Sequence, residues 1–136
     1  MKHQIEVPGD WSGVAALMAF CDDLEQRWAL TDDQRYLMRL AIEEIATNIV
    51  KYGYNDATRD VIQVSCAIEA GCLQVVIRDR GQPFDPRDHA PPELSAPAGR
   101  DIGGLGLFFV RELADQLSYH HDPASGWNEL IVTRGP

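Results

Sequence analysis

The chain has few basic residues for its number of acidic ones, and this shortage excludes some partners. It contains 12 Lys and Arg against 21 Asp and Glu, which gives a formal net charge of -9. That balance argues against binding nucleic acid or an anionic membrane through a general basic surface, because phosphate contacts need clustered Lys and Arg. An acidic surface suits a basic partner protein, although it more often only keeps a domain soluble.

Cysteines and long apolar runs are also scarce. Cys21, Cys66 and Cys72 are odd in number and form no C-x-x-C pair, so they predict neither a disulfide framework nor a zinc knuckle. We expect buried thiols in a reducing compartment. No stretch approaches the roughly 20 apolar residues of a membrane span, and Glu6 stands where a signal peptide needs an apolar run. These features predict a cytoplasmic protein.

The length of 136 residues, 45% of them hydrophobic, predicts a single domain over 1–136, since typical domains hold roughly 100–150 residues. Apolar spacing predicts a short strand at 3–7 and a helix over 11–28. Thr31-Asp32-Asp33-Gln34 has the pattern of a capping box. It predicts the start of a second helix that runs to about Tyr52.

The second half of the chain predicts strands around one more helix. Alternating residues at 61–69 and 73–77 flank Ala70-Gly71 and indicate a hairpin. A Pro-rich stretch at 81–100 fits neither regular helix nor central strand, and a loop this long is usually functional or disordered. A helix at 105–114 and strands near 117–120 and 130–133 complete the order. This order favours an α+β fold, a two-layer sandwich of a mixed, mostly antiparallel sheet with about three helices on one face.

Two polar residues interrupt the apolar face of the second helix. Glu44 and Asn48, four residues apart, fall near the middle of a face that also holds Leu37, Leu40, Ala41, Ile45, Ile49 and Tyr52. A lone polar group turned into the packing costs about 1–3 kcal/mol unless it is satisfied, and a charge costs more. The pair is either a buried hydrogen-bonded cap for a loop or a functional site built on the helix.

Asp79 and the glycine turn at 103–107 are two further candidates. Asp79 continues the inward phase of Leu73, Val75 and Ile77, unless the strand has ended and Asp79 forms a turn before Gly81. The sequence GGLGL at 103–107 opens an apolar helix. Free N–H groups at such a start favour an anion such as phosphate, although helices also begin with glycine when no ligand is bound.

Taken together, these features suit a nucleotide pocket. The Asp is an acceptor for an exocyclic amine, and the Asn oxygen is a hard ligand for magnesium. The glycine turn would cover phosphates.

In this order the motifs resemble those of the GHKL (histidine-kinase-like, Bergerat-fold) ATPases. The chain is most similar to the small stand-alone anti-sigma-factor serine/threonine-protein kinases among them. The N box matches EIATNIVKYGY at 44–54, the G1 box DRGQPFD at 79–85, and the G2 box GGLGL at 103–107. The resemblance covers essentially the whole chain and implies a Bergerat ATP-binding fold with an ATP lid at about 81–102.

The resemblance implies a role for each matching residue. Glu44 would be the catalytic base for an incoming serine hydroxyl, and Asn48 would bind the Mg²⁺ that bridges the ATP phosphates. Asp79 would accept a hydrogen bond from the adenine amino group. The other nucleotide-binding residues that it implies are Lys51, Gly81, Phe84, Arg100, Gly103, Gly104, Leu105 and Gly106.

The implied function is that of an ATP- and Mg²⁺-dependent protein-serine kinase. Such proteins transfer the γ-phosphoryl group to a serine of an anti-sigma-factor antagonist (STAS-type) domain, sequester a sigma factor and commonly form homodimers. The alternatives are a catalytically silent nucleotide-dependent switch and a stand-alone histidine-kinase-type catalytic domain. A fragment of a topoisomerase or chaperone is less favoured, because those proteins need further domains.

The start of the last strand departs from the family pattern, and two adjacent histidines have no role in that pattern. The family often begins its last strand with Gly-Thr, whose Thr contacts adenine, and this chain has Gly126-Trp127-Asn128. His120 and His121 are adjacent, so in a strand they face opposite ways and make a poor metal pair. We expect the histidines at surface or loop positions.

Overall fold

In the part of the chain that the structure describes, alternating side chains form five strands and apolar stripes form three helices. The structure, a computed structural model, describes residues 1–54, 59–88 and 104–136. The strands are β1 (Lys2–Pro8), β2 (Val61–Glu69), β3 (Cys72–Asp79), β4 (Gln116–His121) and β5 (Asn128–Arg134). The helices are α1 (Trp11–Arg27), α2 (Asp32–Tyr52) and α3 (Gly104–Leu113), with a 3₁₀ turn at Pro86–Asp88. The expected α+β fold is confirmed.

The strands form one sheet in the order β1-β2-β3-β5-β4. All four pairings among the described strands are antiparallel. The sheet was expected to be mixed and mostly antiparallel, and these strands contain no parallel pair. Ala70 and Gly71 turn β2 into β3 with positive φ angles of 52° and 77°, which suit a tight hairpin. The central strand β3 lies between β2 and β5, and its last residue, Asp79, pairs with Asn128.

The core lies between one face of this sheet and the helices. Its buried residues come from alternate positions of the strands and from the inner stripes of α1, α2 and α3. Each such Val, Leu or Ile contributes about 1.5–3 kcal/mol when fully buried. Cys21 and Cys66 belong to this core, and burial raises the pKa of the Cys21 thiol to about 12. Two of the three cysteines are therefore buried, as expected.

The capping box predicted for α2 is present. Gln34 N donates to Thr31 Oγ1, and Thr31 N donates to Gln34 Oε1, both at 3.1 Å. Gln34 Nε2 also donates to the carbonyl oxygens of Gly71 at 2.8 Å and Arg134 at 3.1 Å. One buried side chain thus joins the start of α2 to the hairpin turn and to the end of β5.

No helix in the described part of the chain combines the length and the apolar character that a membrane span requires.

Candidate functional site

A cavity of about 100 Å³ lies between the C-terminal half of α2, the ends of β3, β4 and β5, and residues 82–86. Its apolar walls include Ile45, Ile77 and Leu130. The polar groups at its surface include Asn48, Asp79, Tyr119 and Asn128. A mostly apolar cleft with a few convergent polar groups is the usual form of a small-molecule site.

Asp79 lies in the inward row of β3. It is 6% exposed and continues the phase of Leu73, Val75 and Ile77, so the strand extends through it as its spacing predicts. Asp79 Oδ2 accepts a hydrogen bond from Gly81 N at 2.8 Å and a long one from Asn128 Nδ2 at 3.4 Å. Burial raises the pKa of Asp79, and these two donors and the field of His121 oppose the rise.

Gly81 lies where two chain segments approach closely. The neighbouring Gln82 N donates to Gly53 O at 2.7 Å, which ties the segment after β3 to the end of α2. A Cβ at Gly81 would lie 2.8 Å from Gly53 O and 3.0 Å from Asp79 Oδ2. The packing around Asp79 therefore requires glycine at this position.

Glu44 and Asn48 lie one turn apart at the edge of the buried face of α2. The prediction that they fall near its middle is wrong, because the buried stripe also takes in Met38, Ile42 and Ala46 and is centred further around the helix. Both polar residues are half-buried. This edge borders the cavity at Asn48 and the start of α3 at Glu44.

Glu44 meets the glycine turn directly. A Cβ at Gly106 would lie 2.1 Å from Glu44 Cδ and 2.4 Å from its Cγ, so the glutamate side chain occupies the space that a larger residue would need. Burial raises the pKa of Glu44, the negative charge of Glu43 adds to the rise, and Lys51 opposes it. A carboxyl group with a raised pKa is closer to the range in which a general base works well near neutral pH.

Asn48 presents a polar group to the cavity. Its side chain has no hydrogen-bond partner among the described residues, so its carboxamide oxygen remains available to a ligand. Mg²⁺ prefers hard oxygen ligands and usually keeps water and phosphate oxygens in its other positions. A single protein oxygen beside the cavity fits that requirement. Lys51, one turn later, is exposed.

The remaining predicted residues divide by position. Phe84 is half-buried and lines the cavity. Gly104, Leu105 and Gly106 form the first turn of α3, where free N–H groups favour an anion. Arg100, Gly103 and most of the predicted lid lie outside the described residues.

β5 presents Asn128 to the cavity, and sequence reasoning missed it. Trp127, which replaces the Thr of the family pattern, faces away: the guanidinium groups of Arg78 and Arg80 lie 4.6 and 4.4 Å from its ring centroid. Asn128 is 3% exposed and lies in the same inward row as Leu130 and Val132. Strand alternation counted back from Leu130 would have identified it.

β4 adds Tyr119 and His121 beside Asn128. Phe84 N donates to the Tyr119 hydroxyl at 3.0 Å, and that hydroxyl donates to Asn128 Oδ1 at 3.1 Å. His121 Nδ1 lies 2.7 Å from the same Oδ1. His120 is exposed and His121 is half-buried, so the two histidines face opposite ways as expected, but the expected surface or loop position does not hold for His121.

Comparison with known proteins shows the family and supports the fold. The sequence model of the histidine kinase-like ATPase domain matches residues 7–134. The chain belongs to the histidine kinase-like ATPase family. Among solved structures, the RsbU and RsbW domains of Rv1364c from Mycobacterium tuberculosis superpose on this chain with a TM-score of 0.70 at 17% identity. That likeness covers 99% of this chain and 32% of the other, and it supports the fold.

Sequence relatives of this histidine kinase-like ATPase domain include proteins named serine-protein kinase RsbW. The chain is 30% identical over 112 residues to serine-protein kinase RsbW of Bacillus velezensis. The aligned region covers 78% of this chain and 63% of that protein. It is also 27% identical over 126 residues to serine-protein kinase RsbW of Bacillus thuringiensis, and this aligned region covers 89% of this chain and 78% of that protein. The first match thus spans less than two thirds of the Bacillus velezensis protein.

Proposed function

We propose that this chain is an ATP-binding protein-serine kinase that acts as an anti-sigma factor. The observation that carries the proposal is the arrangement around the cavity. Asp79 lies buried at the end of β3, Asn48 lines the same cavity from α2, and Glu44 lies one turn away against Gly106 of the glycine turn. The base-binding, metal-binding and phosphate-binding groups implied by the resemblance thus follow one another along one side of the molecule.

In this proposal the adenine ring enters the apolar cavity and its amino group donates to Asp79. The phosphates extend past Asn48 toward the first turn of α3, where free N–H groups and the helix dipole favour negative charge. Lys51 and Arg100 are proposed as cationic phosphate contacts. Residues 81–102 are proposed as the ATP lid, within a single domain spanning 1–136.

Asn48 would hold the Mg²⁺, which would supply positive charge to neutralise the charge that develops on the transferred phosphoryl group. Glu44 would accept the proton from the incoming serine hydroxyl. The serine oxygen would then form a bond to the γ-phosphorus as the bond from that phosphorus to the β,γ-bridging oxygen breaks, and ADP would leave. A positioned base of this kind contributes on the order of 10²–10⁴ to the rate. The raised pKa of Glu44 suits that proton transfer.

The proposed partners follow from the names of the relatives and from the resemblance. We propose an anti-sigma-factor antagonist (STAS-type) domain as the phosphate acceptor, a sigma factor as the sequestered partner, and a homodimer as the assembly. The net charge of -9 supports a basic region on the sigma factor as the contact.

Incubation with Mg²⁺ and γ-labelled ATP, with each candidate antagonist domain from the same genome, tests the proposal. We expect acid-stable label on a serine of one antagonist, and none when EDTA replaces Mg²⁺. Acid-labile label on a histidine would instead support the histidine-kinase-type alternative. ATP binding without transfer to any antagonist would support the catalytically silent switch.

A further inference from the structure

The polar side of the cavity is organised from the edge strand β4. Tyr119 Oη donates to Asn128 Oδ1 at 3.1 Å, and His121 Nδ1 lies 2.7 Å from the same oxygen. On its other side, Asn128 Nδ2 donates to Gly81 O at 2.9 Å and to Asp79 Oδ2 at 3.4 Å. The Asn128 carboxamide therefore connects β4 with the carboxylate proposed to bind the adenine base.

Four neighbours determine which way this carboxamide faces. Gly81 O and Asp79 Oδ2 are both acceptors, so the amide nitrogen must face them. The amide oxygen then faces Tyr119 and His121. Because the Tyr119 oxygen already accepts the Phe84 N–H, its hydroxyl proton is free to point at Asn128, and His121 must carry a proton on Nδ1 to donate.

The orientation of Asn128 decides what Asp79 offers to a ligand. Gly81 N and Asn128 Nδ2 both donate to Asp79 Oδ2, and no described residue donates to Oδ1. Oδ1 is thus an acceptor without a partner among the described residues, on a side chain that lines the cavity. The adenine amino group is a donor, whereas guanine carries an acceptor oxygen at the same ring position. A fixed carboxylate therefore favours adenine and repels guanine.

We propose that Tyr119 and His121 are positioning residues for purine selection: they orient the Asn128 carboxamide, which in turn holds Asp79 with Oδ1 toward the base. The inference rests on the proposed function, since it needs ATP in this cavity. Without one of these donors the amide oxygen loses a fixing contact, and the carboxamide is held mainly from its nitrogen side, by Gly81 O and Asp79 Oδ2. Its plane can then tilt, and Nδ2 fixes Asp79 less well, so ATP loses an oriented acceptor and GTP loses a discriminating one.

Titration calorimetry with Mg-ATP and with Mg-GTP tests this inference. The proteins are the wild type, His121→Leu, Tyr119→Phe, His121→Asn and the control His120→Leu, whose side chain faces the opposite side of β4. We expect the wild type to prefer ATP and this preference to fall about tenfold in His121→Leu and in Tyr119→Phe. His121→Asn keeps an N–H donor at the place of Nδ1 and should retain most of the preference, and His120→Leu should retain all of it.

The outcomes separate this inference from the proposed function. An unchanged ATP-to-GTP preference in both His121→Leu and Tyr119→Phe would overturn the positioning role while leaving the ATP site intact. If thermal unfolding shows that His121→Leu does not fold, Tyr119→Phe decides, because it removes a single oxygen. A wild type that binds neither nucleotide, or binds both equally, would overturn base recognition by Asp79 and the inference with it.

Discussion

The side chain of Asp79 is a buried carboxyl group, and its burial lowers the stability of the folded protein. It is 6% exposed, and burial raises its pKa above the ordinary value despite the N–H donors of Gly81 and Asn128. A perturbed carboxyl in a cavity is a feature of functional sites, where stability is often sacrificed for activity. Substitution of this one residue therefore tests directly whether Asp79 is kept for ligand binding.

Replacing Asp79 with Asn should stabilise the free protein and weaken ATP binding. A carboxyl whose pKa is raised in the folded state contributes stability at low pH, and this contribution is lost as pH rises through that raised pKa. The variant has no such loss, so thermal unfolding should show a higher Tm than the wild type at neutral pH and a smaller difference in acid. Calorimetry should show ATP affinity lowered by about tenfold or more. A variant that is less stable than the wild type at neutral pH would contradict this account.

Asn48→Ala should remove the Mg²⁺-dependent part of ATP binding. The carboxamide oxygen is the proposed metal ligand, so affinity in Mg²⁺ should fall by about 10- to 100-fold, toward the value measured in EDTA. Thr47→Ala is the matched control, because the Thr47 hydroxyl donates only to Glu44 O of its own helix among the described residues. Equal losses in the two variants would point to damage to α2 instead of a lost ligand.

At the scale of elements, α2 both holds the sheet and carries the site. Its first turn is fixed to the β2–β3 turn and the end of β5 by Gln34, and its last three turns carry Glu44 and Asn48. The helix is thus anchored at the end opposite the cavity. Its two ends can be perturbed separately.

Gln34→Ala should destabilise the protein more than Thr31→Ala. Loss of the Thr31 cap costs about 1 kcal/mol. Loss of Gln34 removes its part of the capping box and also leaves the Gly71 and Arg134 carbonyl oxygens without their donor, so we expect about 2–3 kcal/mol. Urea unfolding measures both, with unchanged m-values. Equal costs would show that the two carbonyl contacts contribute nothing.

Gly106→Ala should separate stability from activity in α3. Alanine is favoured over glycine in a helix by about 1 kcal/mol, so the fold should tolerate the change. The added Cβ would lie 2.1 Å from Glu44 Cδ, so the Glu44 side chain must move. We expect normal unfolding with serine phosphorylation reduced by about tenfold or more. Full activity would show that the Glu44 position seen here is not needed for transfer.

For the whole molecule, the sequence predicted the elements better than their assembly. Local periodicity predicted the helices and the hairpin and placed Asp79 in the inward phase of its strand, with a turn as the alternative, because these features depend on near neighbours along the chain. The contact between Asn128 and Asp79 joins residues 49 positions apart. This contact depends on the pairing of β5 with β3, which no local pattern determines. The family pattern pointed to position 127, and Asn128 lies in the inward row one residue later.

The structure shows how part of the molecule's charge is paired within the fold. Several of its cations are paired within the fold: Arg39 with Asp22 and Glu25, Arg80 with Asp60, and Arg134 with Asp33. Exposed pairs of this kind contribute little stability, typically about 0–1 kcal/mol each. The excess of acidic groups thus remains available to attract a basic partner, as the proposed anti-sigma role requires.

The most direct measurement of the central claim compares binding and transfer in the wild type, Glu44→Gln and Glu43→Gln. Glu43→Gln is the control for removing one carboxylate from the same helix. Because the charge of Glu43 adds to the raised pKa of Glu44, this variant should change transfer only slightly. We expect all three proteins to bind Mg-ATP with similar Kd, and Glu44→Gln to transfer phosphate to the antagonist serine at least about 100-fold more slowly than the other two. Transfer by Glu44→Gln at the wild-type rate would contradict the account.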